Sequence, residues 1–203
     1  MISWIVTGGV ACGKSAVSEA LMRHVGAGRS FSSDECVARL LEQSEVKSRL
    51  VESFGSNVLV GEGGGSASIN RAVLREIAFN DSSVRRQLEA IIHPLVLAEL
   101  ESSRAEALKM GEQLFLAEVP LYYEIGGTVE ADLVIVAVAS RTIQTRRLME
   151  RRGLDESIIE RILRSQWPIE AKIDRADVVI WNDGDLSALE MQVLTLARHL
   201  RLA

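Results

Sequence analysis

Cysteine and long apolar runs are scarce in this chain of 203 residues, and each scarcity excludes a class of protein. The two cysteines, Cys12 and Cys36, have neither metal-binding nor redox spacing, so we expect no cysteine metal site and no disulfide. No apolar run approaches the ~20 residues that cross a bilayer. No basic segment precedes the first apolar run, so no secretory signal is expected. We therefore predict a cytoplasmic protein that does not bind membranes.

Acidic residues outnumber basic ones, which gives a formal net charge of −5. An acidic balance argues against general nucleic-acid binding, so we expect no nucleic-acid partner. Only four of the 23 basic residues are lysines (Lys14, Lys47, Lys109 and Lys172). Arginine is preferred where planar, bidentate contact with phosphate is needed. A GC-rich genome would produce the same bias, so the arginines alone do not indicate a phosphate site.

Short apolar runs alternate with helical patterns along most of the chain. Five segments between these helical patterns are candidate strands: residues 2–7, 29–32, 114–118, 133–139 and 178–181. Three of them are almost entirely apolar, as strands buried on both faces are. The alternation predicts a parallel sheet with helices on both faces, which is an α/β fold. The last helix should follow Asp185, a capping residue at the end of a turn.

The first candidate strand leads directly into a glycine-rich loop and then into a helical pattern. The loop reads Gly8-Gly9-Val10-Ala11-Cys12-Gly13-Lys14-Ser15, which matches G-x-x-x-x-G-K-[ST]. Glycines let backbone N–H groups close around phosphate oxygens at a helix N-terminus. We expect Lys14 to reach the β- and γ-phosphates and Ser15 to bind Mg²⁺. Near that helix N-terminus, the thiol of Cys12 is expected to be somewhat acidic.

Two segments do not fit a minimal sheet with flanking helices. Residues 42–110 have mostly helical patterns, with Pro94 expected to start a new helix after His93. Inside them, residues 61–66 form a glycine-rich segment that we expect to be a flexible loop. Residues 141–175 hold nine basic and six acidic residues, which favours a mobile lid over a transferring phosphate. A solvated pair of helices with ordinary charge pairs remains an alternative for about half of these residues.

Taken together, the motifs resemble those of the dephospho-CoA kinase family over nearly the whole chain. The resemblance lies in Thr7-Gly8-Gly9 with Gly13-Lys14-Ser15, Ser33-Asp34, Ile69-Asn70-Arg71 with Leu74 and Ile77-Ala78-Phe79, Leu88-Glu89-Ala90-Ile91-Ile92-His93-Pro94-Leu95-Val96, Val119-Pro120-Leu121-Tyr122-Tyr123-Glu124, Gln144 with Arg147-Leu148 and Arg151, Arg161 with Gln166, Ala176-Asp177, and Asn182-Asp183-Gly184. Many proteins share the phosphate loop. The His93-Pro94 and Val119-Pro120-Leu121 segments, in this order and spacing, are much more specific to the family.

The resemblance implies a P-loop kinase fold with a five-stranded parallel sheet, a helical acceptor-binding subdomain and a lid. On this basis residues 1–41, 111–140 and 176–203 would form the core, about 42–110 the acceptor-binding subdomain and about 141–175 the lid. The implied reaction transfers the γ-phosphoryl group of ATP, with Mg²⁺, to the ribose 3′-hydroxyl of dephospho-CoA and yields coenzyme A. The resemblance does not fix the oligomeric state.

The resemblance also implies roles for individual residues. Asp34 falls where the family has its catalytic aspartate, and a carboxylate there can take the proton of the acceptor hydroxyl. Arg147 is the first candidate for a lid arginine that contacts phosphate on closure, and Arg151 is the second. The remaining implied contacts are with ATP (Gly8, Gly9, Ala11, Cys12, Gly13, Lys14, Ser15, Ala16 and Asn182) and with the acceptor (Asp34, Arg71, His93 and Glu124).

Some of these residues have simpler explanations, and one family position is different. Asp34 and His93 could each cap a helix, Glu124 could pair with an arginine, and Asn182 could belong to a plain turn. The family's first aspartate of an Asp-x-Asp pair is absent, because Ser32 stands there. A shift of one residue would give the catalytic role to Glu35.

Two other functions are compatible with a phosphate loop. A nucleoside monophosphate kinase would share the loop and the lid but not the His93-Pro94 and Val119-Pro120-Leu121 segments. A nucleotide-dependent switch of the GTPase type would act through partner proteins. No Asn-Lys-x-Asp stretch, which reads guanine, occurs in the chain, and this argues against the switch.

Overall fold

The computed structural model describes residues 1–25, 28–61, 67–127 and 129–200. The chain divides into two compact units. The first unit comprises Met1–Ser32 with Ser103–Ala203, and the second comprises Ser33–Ser102. Among the described residues, no helix is both long and apolar enough to span a membrane.

A five-stranded parallel sheet forms the centre of the first unit. Its strands are β1 (Ile2–Gly8), β2 (Gly28–Ser32), β5 (Leu114–Glu118), β6 (Leu133–Val138) and β7 (Val178–Trp181). Their spatial order is β2-β5-β1-β6-β7, and every pair is parallel. The predicted parallel sheet of five strands is therefore confirmed, and no strand end differs from the prediction by more than one residue.

Among the described residues, six helices belong to the first unit in whole or in part. They are α1 (Lys14–Val25), the end of α5 (Ser82–Lys109), α6 (Arg141–Arg152), α7 (Glu156–Arg164), α8 (Ile169–Ile173) and α9 (Leu186–His199). Helices α1 and α9 pack on each other and bury one apolar face of the sheet, where Trp4, Leu21 and Val193 are almost fully buried. The predicted start of α9 is confirmed, because the side chain of Asp185 accepts a hydrogen bond from the Ala188 N–H.

The second unit is mostly helical, as the sequence predicts. It contains α2 (Ser33–Leu40), α3 (Ser44–Phe54), a 3₁₀ turn (Ser56–Val58), α4 (Arg71–Asn80) and most of α5. A small antiparallel pair, β3 (Leu59–Val60) with β4 (Ser68–Ile69), was not predicted. Of the glycine-rich segment 61–66 that was expected to be a flexible loop, residues 62–66 lie outside the described residues.

The prediction that Pro94 starts a new helix is wrong. Helix α5 runs without a break from Ser82 to Lys109, with Pro94 inside it. Proline removes one backbone hydrogen bond, which usually kinks or ends a helix. Here Ile91 and Ile92 before the proline and Val96 and Leu100 after it are all buried, so packing holds the helix together through this point.

Candidate active site

The loop between β1 and α1 has a backbone conformation that depends on two of its glycines. Gly8 and Gly13 have φ angles of 143° and 85°, and Ala11 is the one non-glycine residue at positive φ among the described residues, at 56°. A Cβ atom on Gly8 would lie 2.2 Å from the Ala137 oxygen, and one on Gly13 would lie 1.9 Å from the Asn182 Nδ2. Both glycines are therefore required by the conformation and by the close approach of neighbours.

Lys14 and Ser15, with which α1 begins, are where the sequence predicts them. The Lys14 Nζ donates to the Gly9 oxygen at 3.0 Å and to the Gly8 oxygen at 3.5 Å, so the ammonium lies over its own loop. No acidic residue occurs in the first turn of α1. The positive end of the helix dipole and the Lys14 charge therefore act together at this edge of the sheet.

Glu118 contacts the first residues of α1, and this contact was not predicted from the sequence. It is the last residue of β5, and its Oε1 accepts a hydrogen bond from the Ser15 hydroxyl at 3.0 Å. Its other oxygen accepts from the Ser18 hydroxyl at 3.3 Å. The available signal was an acidic residue at the carboxyl end of an apolar strand, because parallel strands bring these ends to one edge of the sheet.

Asn182 and Arg147 support the loop from the neighbouring strand and helix. The buried Asn182 amide donates from Nδ2 to the Cys12 oxygen at 2.9 Å. Arg147 donates from one guanidinium nitrogen to the Ala11 oxygen at 3.0 Å and from the other to the Asn182 oxygen at 2.8 Å. Burial, and the nearby charge of Arg151, lower the pKa of Arg147, although a guanidinium stays protonated at neutral pH. Arg147 is therefore already bound to the loop, and its contact with phosphate on lid closure stays a prediction.

The expectation of an acidic Cys12 thiol is wrong. Cys12 is fully buried, and burial raises the pKa of its thiol, while the charge of Lys14 opposes that rise only in part. A thiolate loses its hydration in such surroundings, which outweighs the favourable helix N-terminus. Cys12 contributes its backbone and its packing to the loop.

Two glutamines of the family resemblance, to which the sequence assigned no role, lie at or beside the loop. Gln166 follows α7, and its Oε1 accepts a hydrogen bond from the Val10 N–H at 2.8 Å. Gln144 is buried in α6 and donates to the Ala139 oxygen at 2.8 Å. A cleft of about 600 Å³ opens beside Gly9, and its walls include both glutamines and Trp167.

Glu124 lies in a cluster of charged and aromatic side chains next to this cleft. Its Oε1 is 2.7 Å from the Nζ of Lys172, a side chain with no exposed surface. The same oxygen accepts a hydrogen bond from the backbone N–H of Trp167 at 3.1 Å. The Trp167 ring stacks on Tyr123, and the Arg175 guanidinium lies 4.7 Å from the Trp167 ring centre. The charged partner of Glu124 is thus a lysine, where the sequence alternative named an arginine.

The other predicted acceptor residues lie in the second unit. Asp34 is in the first turn of α2, which begins at Ser33. Arg71 begins α4 and donates to the Ala38 oxygen at 3.2 Å, so it ties α4 to α2. His93 lies within α5 and does not cap a helix, and burial lowers its pKa although the Glu89 charge raises it in part.

Known proteins similar to this chain form a consistent group. A sequence model of the dephospho-CoA kinase family matches residues 3–188. A dephospho-CoA kinase of Geobacillus kaustophilus is 35% identical over 195 residues, covering 96% of this chain and 94% of its own. One from Syntrophotalea carbinolica is 38% identical over 198 residues, covering 96% and 90%. The structure of a dephospho-CoA kinase from Campylobacter jejuni superposes with a TM-score of 0.67 at 26% identity, covering 98% and 96%.

Proposed function

The chain belongs to the dephospho-CoA kinase family, and from this premise we propose which of its side chains carry out the reaction. The enzyme transfers a phosphoryl group from ATP to dephospho-CoA and forms coenzyme A and ADP. The observation that carries the residue assignment is the loop of glycines with Lys14, Ser15 and Glu118 at the carboxyl edge of the sheet. Phosphoryl transfer needs positioning and charge stabilisation more than covalent chemistry, and this edge supplies both.

We assign the triphosphate of ATP to the loop between β1 and α1. The nucleotide-binding residues predicted there (Gly8, Gly9, Ala11, Cys12, Gly13, Lys14, Ser15 and Ala16) would act through their backbone N–H groups and the Lys14 ammonium. Lys14 now donates to carbonyl oxygens of its own loop, and we expect it to exchange them for the β- and γ-phosphates. Asn182 and Arg147 would hold the loop in its conformation through their hydrogen bonds to the Cys12 and Ala11 oxygens.

The family's chemistry also implies Mg²⁺, and the residues present fit that ion. The Ser15 hydroxyl and the Glu118 carboxylate are hard oxygen donors, and they lie 3.0 Å apart at the loop. We propose that these two side chains hold the ion together with phosphate oxygens and water. When bound, Mg²⁺ would neutralise charge on the transferring phosphoryl group.

We propose that Asp34 takes the proton of the acceptor hydroxyl, with Glu35 as the alternative if the alignment is shifted by one residue. Asp34 comes two residues after Ser32, which ends β2 in register with Glu118.

Arg71 and His93 would contribute to the acceptor site of the second unit, and residues 141–175 would act as the lid. Contact of Glu124 with the acceptor and a cytoplasmic location remain predictions.

A coupled assay of ADP release tests this assignment. We expect rapid release with ATP and dephospho-CoA together, and slow release with ATP alone, because an acceptor is required. AMP, CMP and adenosine are the comparison acceptors. Faster phosphorylation of a nucleoside monophosphate than of dephospho-CoA would contradict the substrate assignment. Slow ATP hydrolysis that no acceptor accelerates would indicate a nucleotide switch.

A further inference from the structure

Gln166 makes a contact with the phosphate loop that the proposed reaction does not require. Its Oε1 lies 2.8 Å from the Val10 nitrogen, although the two residues are 156 positions apart in the chain. A loop that binds phosphate presents unpaired N–H groups, and each one costs free energy when it has no partner. A neutral amide oxygen can satisfy such a donor and fix its direction without adding negative charge at a site for anions.

Trp167, the residue next to Gln166, is held by one hydrogen bond of its backbone and two contacts of its ring. The Trp167 N–H donates to the Glu124 Oε1, and the Trp167 ring stacks on Tyr123 at a centroid distance of 6.3 Å and 12° between planes. The Arg175 guanidinium lies against the same ring. The Tyr123 hydroxyl donates to the Arg175 oxygen at 2.9 Å, which closes the cluster. A glutamine beside so constrained a residue has little freedom to leave the loop.

Glu124 is held in turn by a charge that has no access to water. The Lys172 side chain is fully buried, and its Nζ lies 2.7 Å from the Glu124 Oε1. Burying such a pair costs desolvation that can exceed the attraction between the two charges, so a buried pair is weak evidence for a stabilising role. An ionic contact does restrict where the carboxylate lies, and the same oxygen accepts from the Trp167 N–H.

We propose that Gln166 is a positioning residue that sets the shape of the phosphate loop, and that the Lys172–Glu124 pair acts through Trp167 to hold it there. The contacts run in series from Lys172 to Glu124, to the Trp167 backbone, and from the adjoining Gln166 to Val10. This inference rests on the assignment of the loop to ATP. It predicts that the pair affects ATP binding, although neither charge is part of the loop.

Replacing Gln166 tests the last contact of the series. Gln166→Met keeps the length of the side chain but removes the acceptor, so the dissociation constant for ATP should rise about fivefold, as for the loss of one neutral hydrogen bond. Gln166→Glu keeps an acceptor but adds negative charge near the phosphates, so it should weaken ATP binding in a manner that added salt partly relieves. Gln87→Met and Gln87→Glu are matched controls, because Gln87 is exposed in α5.

Two double variants test whether the buried pair acts by hydrogen bonding. Glu124→Leu with Lys172→Met removes both charges and the acceptor of the Trp167 N–H, so ATP binding should weaken as in Gln166→Met. Glu124→Gln with Lys172→Met also removes both charges but keeps an acceptor oxygen, so ATP binding should stay within twofold of wild type. Adding Gln166→Met to the first double variant should have little further effect, because both changes break one series of contacts.

Equilibrium binding of ATP and amide hydrogen exchange are the readouts, because neither needs the acceptor. Exchange of the Val10 amide without nucleotide should be faster in Gln166→Met and in the Leu/Met double variant, with melting temperatures reported alongside.

Unchanged Val10 exchange and ATP affinity in a folded Gln166→Met variant would overturn the inference. A higher KM for dephospho-CoA with unchanged ATP affinity in the Glu124 variants would also overturn it, in favour of a direct acceptor contact. Tight ATP binding by wild type without dephospho-CoA-dependent turnover would refute the substrate assignment alone.

Discussion

Arg147→Lys separates a structural role of this arginine from a role limited to lid closure. Arg147 uses two different nitrogens of one rigid guanidinium to reach the Ala11 and Asn182 oxygens, at 3.0 Å and 2.8 Å. The single ammonium of lysine, on a shorter and more flexible side chain, cannot reproduce both bonds in the same geometry. We therefore expect Arg147→Lys to lose at least one charge-assisted hydrogen bond in the enzyme without nucleotide.

The expected loss of stability follows from that one bond. A hydrogen bond to a charged group contributes about 1.5–3 kcal/mol, and we take about 1.5 kcal/mol because Arg147 is only partly buried. For a chain of this size the melting temperature falls by about 2–4 °C for each kcal/mol. The predicted decrease is therefore about 3–6 °C without ligand. A weaker apparent affinity for ATP should accompany it, because the Ala11 and Cys12 backbone would be less well fixed.

Thermal unfolding monitored by circular dichroism, with and without ATP, measures this decrease. Arg146→Lys is the matched control, since Arg146 is the preceding residue of α6 and is exposed to solvent. We expect the control to melt within about 2 °C of wild type, because a surface substitution changes stability by no more than about 0.5 kcal/mol. A melting temperature of Arg147→Lys equal to that of the control, combined with a large loss of turnover, would show that Arg147 acts only on bound phosphate.

Four further outcomes are expected. Lys14→Ala should lower turnover by about 10²–10³ without loss of fold, because one preorganised charge on the phosphates is removed; near wild-type turnover would refute the loop assignment. Asp34→Asn should lower turnover by about 10²–10⁴ at similar ATP affinity, with Glu35→Gln as its control; the opposite ranking would move the catalytic role to Glu35. Glu118→Gln should raise the Mg²⁺ concentration needed for half-maximal rate, and an unchanged requirement in a magnesium titration would remove Glu118 from the ion site. Burial lowers the pKa of His93 in the folded protein. As the pH falls below about 6.5, His93 is therefore protonated in the unfolded chain before it is protonated in the folded protein, and the free energy of unfolding decreases. Urea unfolding at pH 7.5 and 5.5 should therefore show a smaller loss of stability in His93→Gln than in wild type.

Features formed by residues that are neighbours along the chain were predictable from the sequence. The phosphate loop joins a strand to a helix within a short stretch of chain, so its glycines, Lys14 and Ser15 could be placed from their spacing alone. The five strands were recognisable because short segments, three of them almost entirely apolar, alternate with helical patterns along the chain. The wrong expectation at Pro94 had a different origin. A local rule for proline was applied to a helix whose buried residues on both sides keep it continuous.

Polar contacts between distant segments were not predictable in the same way. The sequence alternatives for Glu124 included a charged partner but named an arginine, and the structure pairs it with Lys172. Cys12 was expected to be acidic from its place at a helix N-terminus, yet its pKa is raised because neighbouring segments bury the thiol. Both outcomes depend on what surrounds a residue in space, and a single sequence does not specify those surroundings.

The sequence by itself determined the family, the five strands and the residues of the phosphate loop, because each of these is encoded by neighbours along the chain. The tertiary structure alone decided that Glu118 faces Ser15, that Asn182 supports Cys12 and that Gln166 reaches Val10. For Glu118 and Asn182, which lie at the ends of strands, the physical reason is the order of the sheet, β2-β5-β1-β6-β7, which is not the order of the strands in the chain. Parallel strands bring their carboxyl ends to one edge, so residues more than 100 positions apart meet there, and only the folded register determines which of them make contact.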